Sequence, residues 1–250
     1  MFHHTLDDYD FKVSFHWFML AFLSGCVNAG GYLATHRFVS HVTGFATLFG
    51  IDLANGRVDA AFGILSVPAF FLFGVMISAY LVDRRIHKKQ VPHYASVMGL
   101  VFLSLMAASL GGYYGFFGLF GEELRLKQDY IFLALLCMAS GLQNASITTA
   151  SGATVRTTHL TGITTDLGIG LVRALSAGRD KARANFERRA NWLRIGTVAS
   201  FGAGSATSAG LFLKYGYLGF LLPAALALYA TFVALHPTER AGIAQKLAEN

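Results

Sequence analysis

The stretch SGCVNAGGYLATHRFVSHVTGFATLFGIDLAN, residues Ser24–Asn55, has a second copy in the same chain, SGLQNASITTASGATVRTTHLTGITTDLGIGLVR, residues Ser140–Arg173. Ser24, Gly25, Asn28 and Ala29 fall on Ser140, Gly141, Asn144 and Ala145. After a two-residue insertion, His41, Thr43 and Gly44 fall on His159, Thr161 and Gly162. From His41 to Leu53 seven of thirteen positions are identical. The correspondence continues outward, with Gly74, Ser78 and Ala79 matching Gly204, Ser208 and Ala209. A period near half the chain is too long for a solenoid and suits the two-fold repeats from which many membrane transporters are built.

Composition sets the class. The 250 residues are 54% hydrophobic and only 14% charged, with a mean hydropathy of +0.49, whereas soluble domains carry about 25% charge. Apolar windows near 13–33, 60–82, 94–114, 130–150, 195–213 and 217–235 are each about long enough to cross a bilayer core. β alternation with aromatic girdles is absent, which argues against a barrel. The expectation is therefore an all-α, polytopic helical membrane protein. The formal charge of +6 sits in loops beside the apolar windows, which fits cytoplasmic anchoring and not nucleic-acid binding. Cys26 and Cys137 lie inside apolar windows without metal-ligand spacing and read as small core residues. The segment Met1–Asp10 has three aspartates and no basic n-region, so the first apolar window reads as a retained helix and not a cleaved signal.

Along the chain, 1–12 reads as a polar tail whose His3, His4, Asp7, Asp8 and Asp10 form no metal pattern. One transmembrane domain follows over 13–236, with repeat 1 at about 13–121, repeat 2 at about 129–236 and a polar tail at 237–250. Phe38–Asn55 is shorter and more polar than an ordinary span. It reads either as a full short helix or as a re-entrant or broken element lining a cavity, the place where irregular backbone is tolerated at membrane depth. Pro68 is a candidate kink. The aromatic, glycine-rich segment 113–121 suits an interfacial belt, and Arg173–Arg194 reads as a basic connection compatible with an amphipathic surface helix.

Charge placement chooses between topologies. If all eight segments crossed, the basic runs at Arg84–Lys89 and Arg173–Arg194 would lie on opposite sides, against the positive-inside tendency. If the His41 and His159 elements enter and leave from one side, about six full crossings and two short membrane-inserted or broken helices remain. The repeats are then inverted, and both basic runs and both termini are cytoplasmic.

Ionisable groups inside a bilayer are costly, which makes His41, His159, Asp52 and Asp166 candidates for a solute or proton pathway. At about 100° per residue, spacings of seven (His159 to Asp166) and eleven (His41 to Asp52) would place each pair on one helical face. Thr43, Thr161, Asn28, Asn144 and Gln143 are further polar candidates, readable as solute contacts or as interhelical hydrogen bonds. Gly44 and Gly162 read as helix-break or packing glycines. Gly74 and Gly204, four residues before Ser78 and Ser208, read as sites of close helix approach. Histidine makes a proton-coupled cycle available near neutral pH.

The duplicated Ser-Gly-x-x-Asn-Ala and Thr-Gly blocks, with Gly141-Leu142-Gln143-Asn144-Ala145 followed by Arg156-Thr157-Thr158-His159-Leu160-Thr161-Gly162, resemble the YoaK-like family of bacterial multi-pass membrane proteins, a domain of unknown function. The resemblance spans about Phe15 to Leu235 and implies a polytopic protein of the bacterial cytoplasmic (inner) membrane. The family pattern has aspartate at the position of Asn28 and asparagine at that of Phe45, so no proton role transfers to Asn28. It supplies no substrate, cofactor or catalytic residue. Without G-x-S-x-G, H-E-x-x-H or a carboxylate dyad, an intramembrane enzyme is not expected, nor is a metal or a cofactor. The reading that results is a transporter or channel for a small polar solute with the lipid bilayer as partner. A structural or sensory membrane module is the alternative.

Overall fold

The computed structural model describes residues 11–122, 127–152, 155–178 and 180–236. The tail residues 1–10, including His3, His4, Asp7, Asp8 and Asp10, and the tail 237–250 lie outside the described residues. Within them the chain is all helical, with no strand: α1 (Phe11–Thr35), α2 (Val42–Ala54), α3 (Val58–Leu81), the short α4 (Asp83–His87), α5 (Tyr94–Tyr113), α6 (Lys127–Ala150), α7 (Leu160–Ser176), α8 (Lys181–Tyr215), a 3₁₀ turn (Gly216–Phe220) and α9 (Leu221–Leu235). Five stretches are long and apolar enough to cross a membrane. The last of them, Lys181–Leu235, turns back at Gly216, where φ is 55°. Beyond that turn Tyr217 meets the end of α5 through its carbonyl, which accepts from Ser109 Oγ at 3.1 Å, while Thr231 lies near Gly99 toward the start of α5. α9 is thus antiparallel to α5, and six helical bodies run along the bundle.

Glycine decides which helices meet. A Cβ on Gly25 would strike the Phe201 carbonyl of α8, and one on Gly204 would strike the Phe22 carbonyl of α1. A Cβ on Gly141 would likewise strike the Phe71 carbonyl of α3, and one on Gly74 the Met138 carbonyl of α6. At both crossings the backbones approach to a distance that excludes any side chain. Gly196 against Phe18 and Gly30 against Phe212 show that α1 and α8 run parallel, as Gly63 beside Tyr130 shows for α3 and α6. α1 and α6 run antiparallel, because Gln143 Nε2 donates to Leu20 O at 2.6 Å while Leu136 lies beside Gly31. The end of α3 therefore lies at the same end of the bundle as the start of α8. The basic run Arg84–Lys89 and the basic first turns of α8 share that end.

Two expectations need correction. The stretch Arg173–Arg194 is not a separate surface helix. α7 continues to Ser176, and after a turn at Gly178 (φ 56°) Asp180 Oδ1 accepts from Arg183 N at 3.0 Å and opens α8, which then runs unbroken through the apolar window. This cap launches a 35-residue helix whose charged first third extends the apolar span. The segment 113–121 is only partly a belt. Tyr113, Tyr114 and Phe116 are exposed, but Phe117 is buried against Phe132 at 5.2 Å and Phe120 stands edge-on to Tyr217 at 5.1 Å, tying the 113–121 segment to α6 and to the 3₁₀ turn. Burial of this aromatic cluster outweighs any interfacial preference. α3 continues through Pro68.

Candidate functional site

The candidate site starts from a reversal at the end of α1. Thr35 Oγ1 donates to Gly31 O at 2.8 Å, and His36, at φ 55°, turns the chain back on itself with its Nε2 2.9 Å from Gly121 O. The next residues run back alongside the helix they have just left. Val39 packs where Gly31 leaves room, its carbonyl accepts from Cys137 Sγ at 3.0 Å, and Ser40 Oγ donates to Asn28 Oδ1 at 3.3 Å. Asn28 is seven residues before the end of α1, so His41 is carried about 10 Å into the bundle at 1.5 Å per residue. From there α2 runs back out to the end it came from, where Asp52 and Arg57 share a cavity with Thr35 and His36. Asn55 and Gly56 (φ 71°) close it.

The second half arrives from the other end. α6 stops at Ala150, and the Ser151 hydroxyl satisfies the turn by donating to Val155 O at 3.1 Å and accepting from Val155 N at 3.0 Å. Buried backbone groups need such partners wherever the helix ladder is broken. α7 then runs antiparallel along α8: Phe201 shares a cavity wall with Thr161, a Cβ on Gly170 would meet Asn191 and Arg194, and Arg173 Nη1 lies 3.7 Å from Glu187. Glu187 is buried and also pairs with Arg194 at 3.8 Å, which pins the outer end of α7. Asp52 and Arg57, 2.6 Å apart, do the same for α2.

The two short helices bring their N-terminal ends to one cleft of about 340 Å³, lined by Asn28, Ser40, His41, Thr43, Thr158, His159, Thr161 and Gly162 with apolar walls from Phe38, Val42, Leu160 and Phe201. His41 and His159 stand at the N-cap positions, and neither helix start has a side-chain cap. The first amide groups of α2 and α7 thus have no side-chain acceptor from a cap, while Gly44 N donates to the His41 carbonyl at 2.9 Å. The helix starts match in detail: Thr47 Oγ1 donates to Thr43 O, and Thr165 Oγ1 to Thr161 O, both at 3.0 Å. Among the described residues no group of His, Cys, Asp or Glu could hold a metal ion.

Of the residues singled out from sequence, His41, His159, Thr43, Thr161, Asn28 and Gly162 meet at this cleft. The carboxylates do not. Asp52 is buried at the far end of α2 on Arg57, and Asp166 is exposed on α7 away from the cleft lining. The same-face pairing of histidine with aspartate fails because His41 (φ −96°, ψ 72°) and His159 (φ −101°, ψ 58°) precede the first helical residue, so a helical angle does not apply to them. Gln143 is committed to Leu20, and Asn144 is buried on α6 outside the cleft lining. Gly44 and Gly162 are not helix breaks: both lie inside the first turn of a helix, and the non-helical residues before them end at His41 and His159. At Gly44 the absent side chain makes room for the His41 ring, whose Nδ1 would lie 2.9 Å from a Cβ. A Cβ on Gly162 would meet nothing within 4 Å.

The cleft also takes in Phe38 and Thr158, which sequence reasoning does not single out, and Ser40, which it considers only as a nucleophile beside a histidine. A hydroxyl residue directly before each histidine, Ser40-His41 and Thr158-His159, was the available signal. Arg37 looked like an interface marker, and nothing local shows that the chain turns inward after it.

No curated protein and no solved structure matches this chain. A family does: the match to the family described as a protein of unknown function, DUF1275, covers residues 16–234, which hold both short helices and the whole cleft. The chain therefore belongs to the DUF1275 family.

Proposed function

We propose that this protein is a multi-pass transporter or channel of the bacterial cytoplasmic membrane, made of two inverted repeats, which passes a small polar solute through the cleft between His41 and His159. Five long apolar stretches support the membrane reading, as do the exposed outward residues Phe62, Leu72, Phe73 and Met76 of α3 and Leu213 and Phe232 nearer the C-terminus, which suit lipid and not water. The inverted repeat is supported by the matched crossings, Gly25 with Gly204 and Gly141 with Gly74, and by the antiparallel run of α1 and α6. With both basic runs at one end, that end is cytoplasmic under the positive-inside tendency, and both termini are with it.

The observation that carries the reading is the convergence of two half-length helices, one from each end of the bundle, on a single cleft that holds both histidines and both Thr43 and Thr161. Repeat-built transporters place solutes where discontinuous helices end inside the membrane. Polar side chains at that depth cost free energy unless they serve such a path. No step here calls for a nucleophile or a cofactor.

The test is solute uptake into proteoliposomes holding the full chain. His41→Ala and His159→Ala are each expected to lower uptake about tenfold or more while the protein still folds and inserts, since each removes a group that donates hydrogen bonds to the solute. An imposed pH gradient that accelerates uptake identifies a proton-coupled cycle, and unchanged flux identifies a channel or uniporter. Wild-type uptake by the folded double variant would remove both histidines from the mechanism.

A further inference from the structure

We infer that the groove between α3 and α6, together with the polar cavity at its outer end, holds one anionic diacyl phospholipid, with an acyl chain along α6 and the phosphate at Arg37 and Arg57. This rests on the membrane reading and not on the passage of a solute, so its test is lipid retention, which no uptake measurement decides.

The two parts of the site adjoin at Tyr130. An apolar groove of about 230 Å³ is lined by Phe70 of α3 and by Tyr130, Ile131, Ala134, Leu135 and Met138 of α6. A cavity of the same size, about 230 Å³, is lined by Thr35, His36, Arg37, Asp52, Arg57 and Tyr130 among others. Tyr130 belongs to both linings, and Gly63 of α3 stands beside its hydroxyl, which would lie 3.7 Å from an added Cβ.

Polarity changes along the bundle in the order in which a lipid presents it. The cavity draws Thr35 from the end of α1, Arg57 from just before α3 and Tyr130 from the first turn of α6, which lie together at the end opposite the basic runs. From Tyr130 the groove follows eight residues of α6 to Met138, about 12 Å at 1.5 Å per residue. That length falls within the roughly 15 Å of hydrocarbon in one leaflet. Phe70 and Ile131 are exposed, so the groove opens on the outer surface of the bundle, where acyl chains lie. A solute arriving from water gains nothing from a groove whose lining is apolar except for one tyrosine hydroxyl, whereas a lipid fills groove and cavity at once.

The charges of the cavity fit a phosphate. Two guanidinium groups line it against one carboxylate, Asp52, whose side chain is only 10% exposed and whose Oδ1 is 2.6 Å from Arg57 Nη2. Arg57 is itself 60% exposed, which leaves the rest of its five-donor fork open to a headgroup. Arg37 makes no ion pair among the described residues. Asp129 does not offset them, because its Oδ1 accepts from Gly118 N at 2.9 Å and it belongs to neither lining. Guanidinium forks match phosphate oxygens, and basic pockets between transmembrane helices take lipid headgroups. The excess of positive charge favours a lipid of net negative charge over a zwitterionic one.

The full chain in detergent would be titrated with dioleoyl phosphatidylglycerol, with dioleoyl phosphatidylcholine as the zwitterionic probe and glycerol 3-phosphate as the probe without chains, and bound molecules counted by native mass spectrometry. One phosphatidylglycerol per chain is expected, held severalfold more tightly than phosphatidylcholine, with no retention of glycerol 3-phosphate at the same concentration. Arg37→Gln is expected to weaken retention about tenfold, the loss of one charge-assisted contact. Arg57→Lys, which keeps a charge beside Asp52 but loses the fork, is expected to weaken it severalfold. Ala134→Leu narrows the groove without touching a charge; it is also expected to weaken retention severalfold, and it provides the test where Arg37→Gln does not fold. Equal retention of phosphatidylglycerol and phosphatidylcholine would overturn the anionic preference, and equal retention of glycerol 3-phosphate would overturn the role of the groove. Wild-type retention by folded Arg37→Gln and Ala134→Leu would overturn the site. A dimer that carries no lipid would assign the groove to a second copy of the chain and overturn the inference.

Discussion

Asn28 and Gln143 carry the same amide and looked equivalent in the chain, but their surroundings separate them. Gln143 is buried with its carboxamide on the Leu20 carbonyl at 2.6 Å, so it serves to join α6 to α1. Gln143→Ala removes that bond and leaves a void, and an interhelical hydrogen bond in a membrane is worth about 1 kcal/mol. The expected result is a lower unfolding temperature in detergent, with uptake per folded molecule unchanged. Asn28 lines the cleft, where its Oδ1 accepts from Ser40 Oγ at 3.3 Å. Asn28→Ala is expected to do the reverse, altering uptake several-fold through the freed Ser40 hydroxyl while stability stays near that of wild type. The two variants, measured for both unfolding temperature and uptake, separate solute contact from structural glue.

Among the helices, the two parallel crossings depend on single glycines. At Gly74 and Gly204 any Cβ would meet a backbone carbonyl, Met138 O and Phe22 O respectively, and a carbonyl in a helix cannot move aside as a side chain can. Gly74→Leu and Gly204→Leu are therefore expected to destabilise by at least the 1–3 kcal/mol or so usual for overpacking, and even alanine is expected to be harmful. Gly202, two residues away on the same helix, has nothing within 4 Å of an added Cβ. Gly202→Ala is expected to be neutral or slightly stabilising, as alanine is the better helix former. Thermal unfolding of Gly74→Leu, Gly204→Leu, Gly204→Ala and Gly202→Ala in one detergent checks the contrast, and equal behaviour of Gly202→Ala and Gly204→Ala would refute the packing account. α8 also shows why helix length misleads: its charged first third, held by Glu187 between Arg173 and Arg194, gives α7 a support outside the apolar span.

For the whole molecule, the arrangement of helices makes a prediction about sides. Lys88 and Lys181 lie at the end where α3 finishes and α8 starts, and Gln128 lies at the opposite end, at the start of α6. Lys88→Cys, Lys181→Cys and Gln128→Cys, each in a background of Cys26→Ala and Cys137→Ala, are to be tested with an impermeant thiol reagent on intact cells. Labelling of position 128 alone is expected. Labelling of 88 and 181 from opposite sides would rule out the inverted arrangement, since with α5 and α6 crossing between them the two positions share an end of the bundle only if α7 returns to the side it entered from.

The chain by itself determined the helical class, the windows that became α1, α3, α5, α6, α8 and α9, the glycines that allow close approach, and the pairing of His41 with His159. These follow from local hydrophobicity and from the recurring Ser-Gly-x-x-Asn-Ala and His-x-Thr-Gly residues, both of which are properties of sequence alone. Only the tertiary structure decided that the chain turns inward after His36 and that α7 starts at the same cleft as α2, because that placement depends on distant partners: Cys137 for Val39, the Gly31 recess and the Phe201 wall. For the same reason Asp52 and Asp166 were read as partners of the histidines and are not, since a helical wheel presumes a helix that has already begun. Arg37 shows the remaining gap: its charge is written in the sequence, but that its Nε is shielded and makes no hydrogen bond among the described residues follows only from the packing around it.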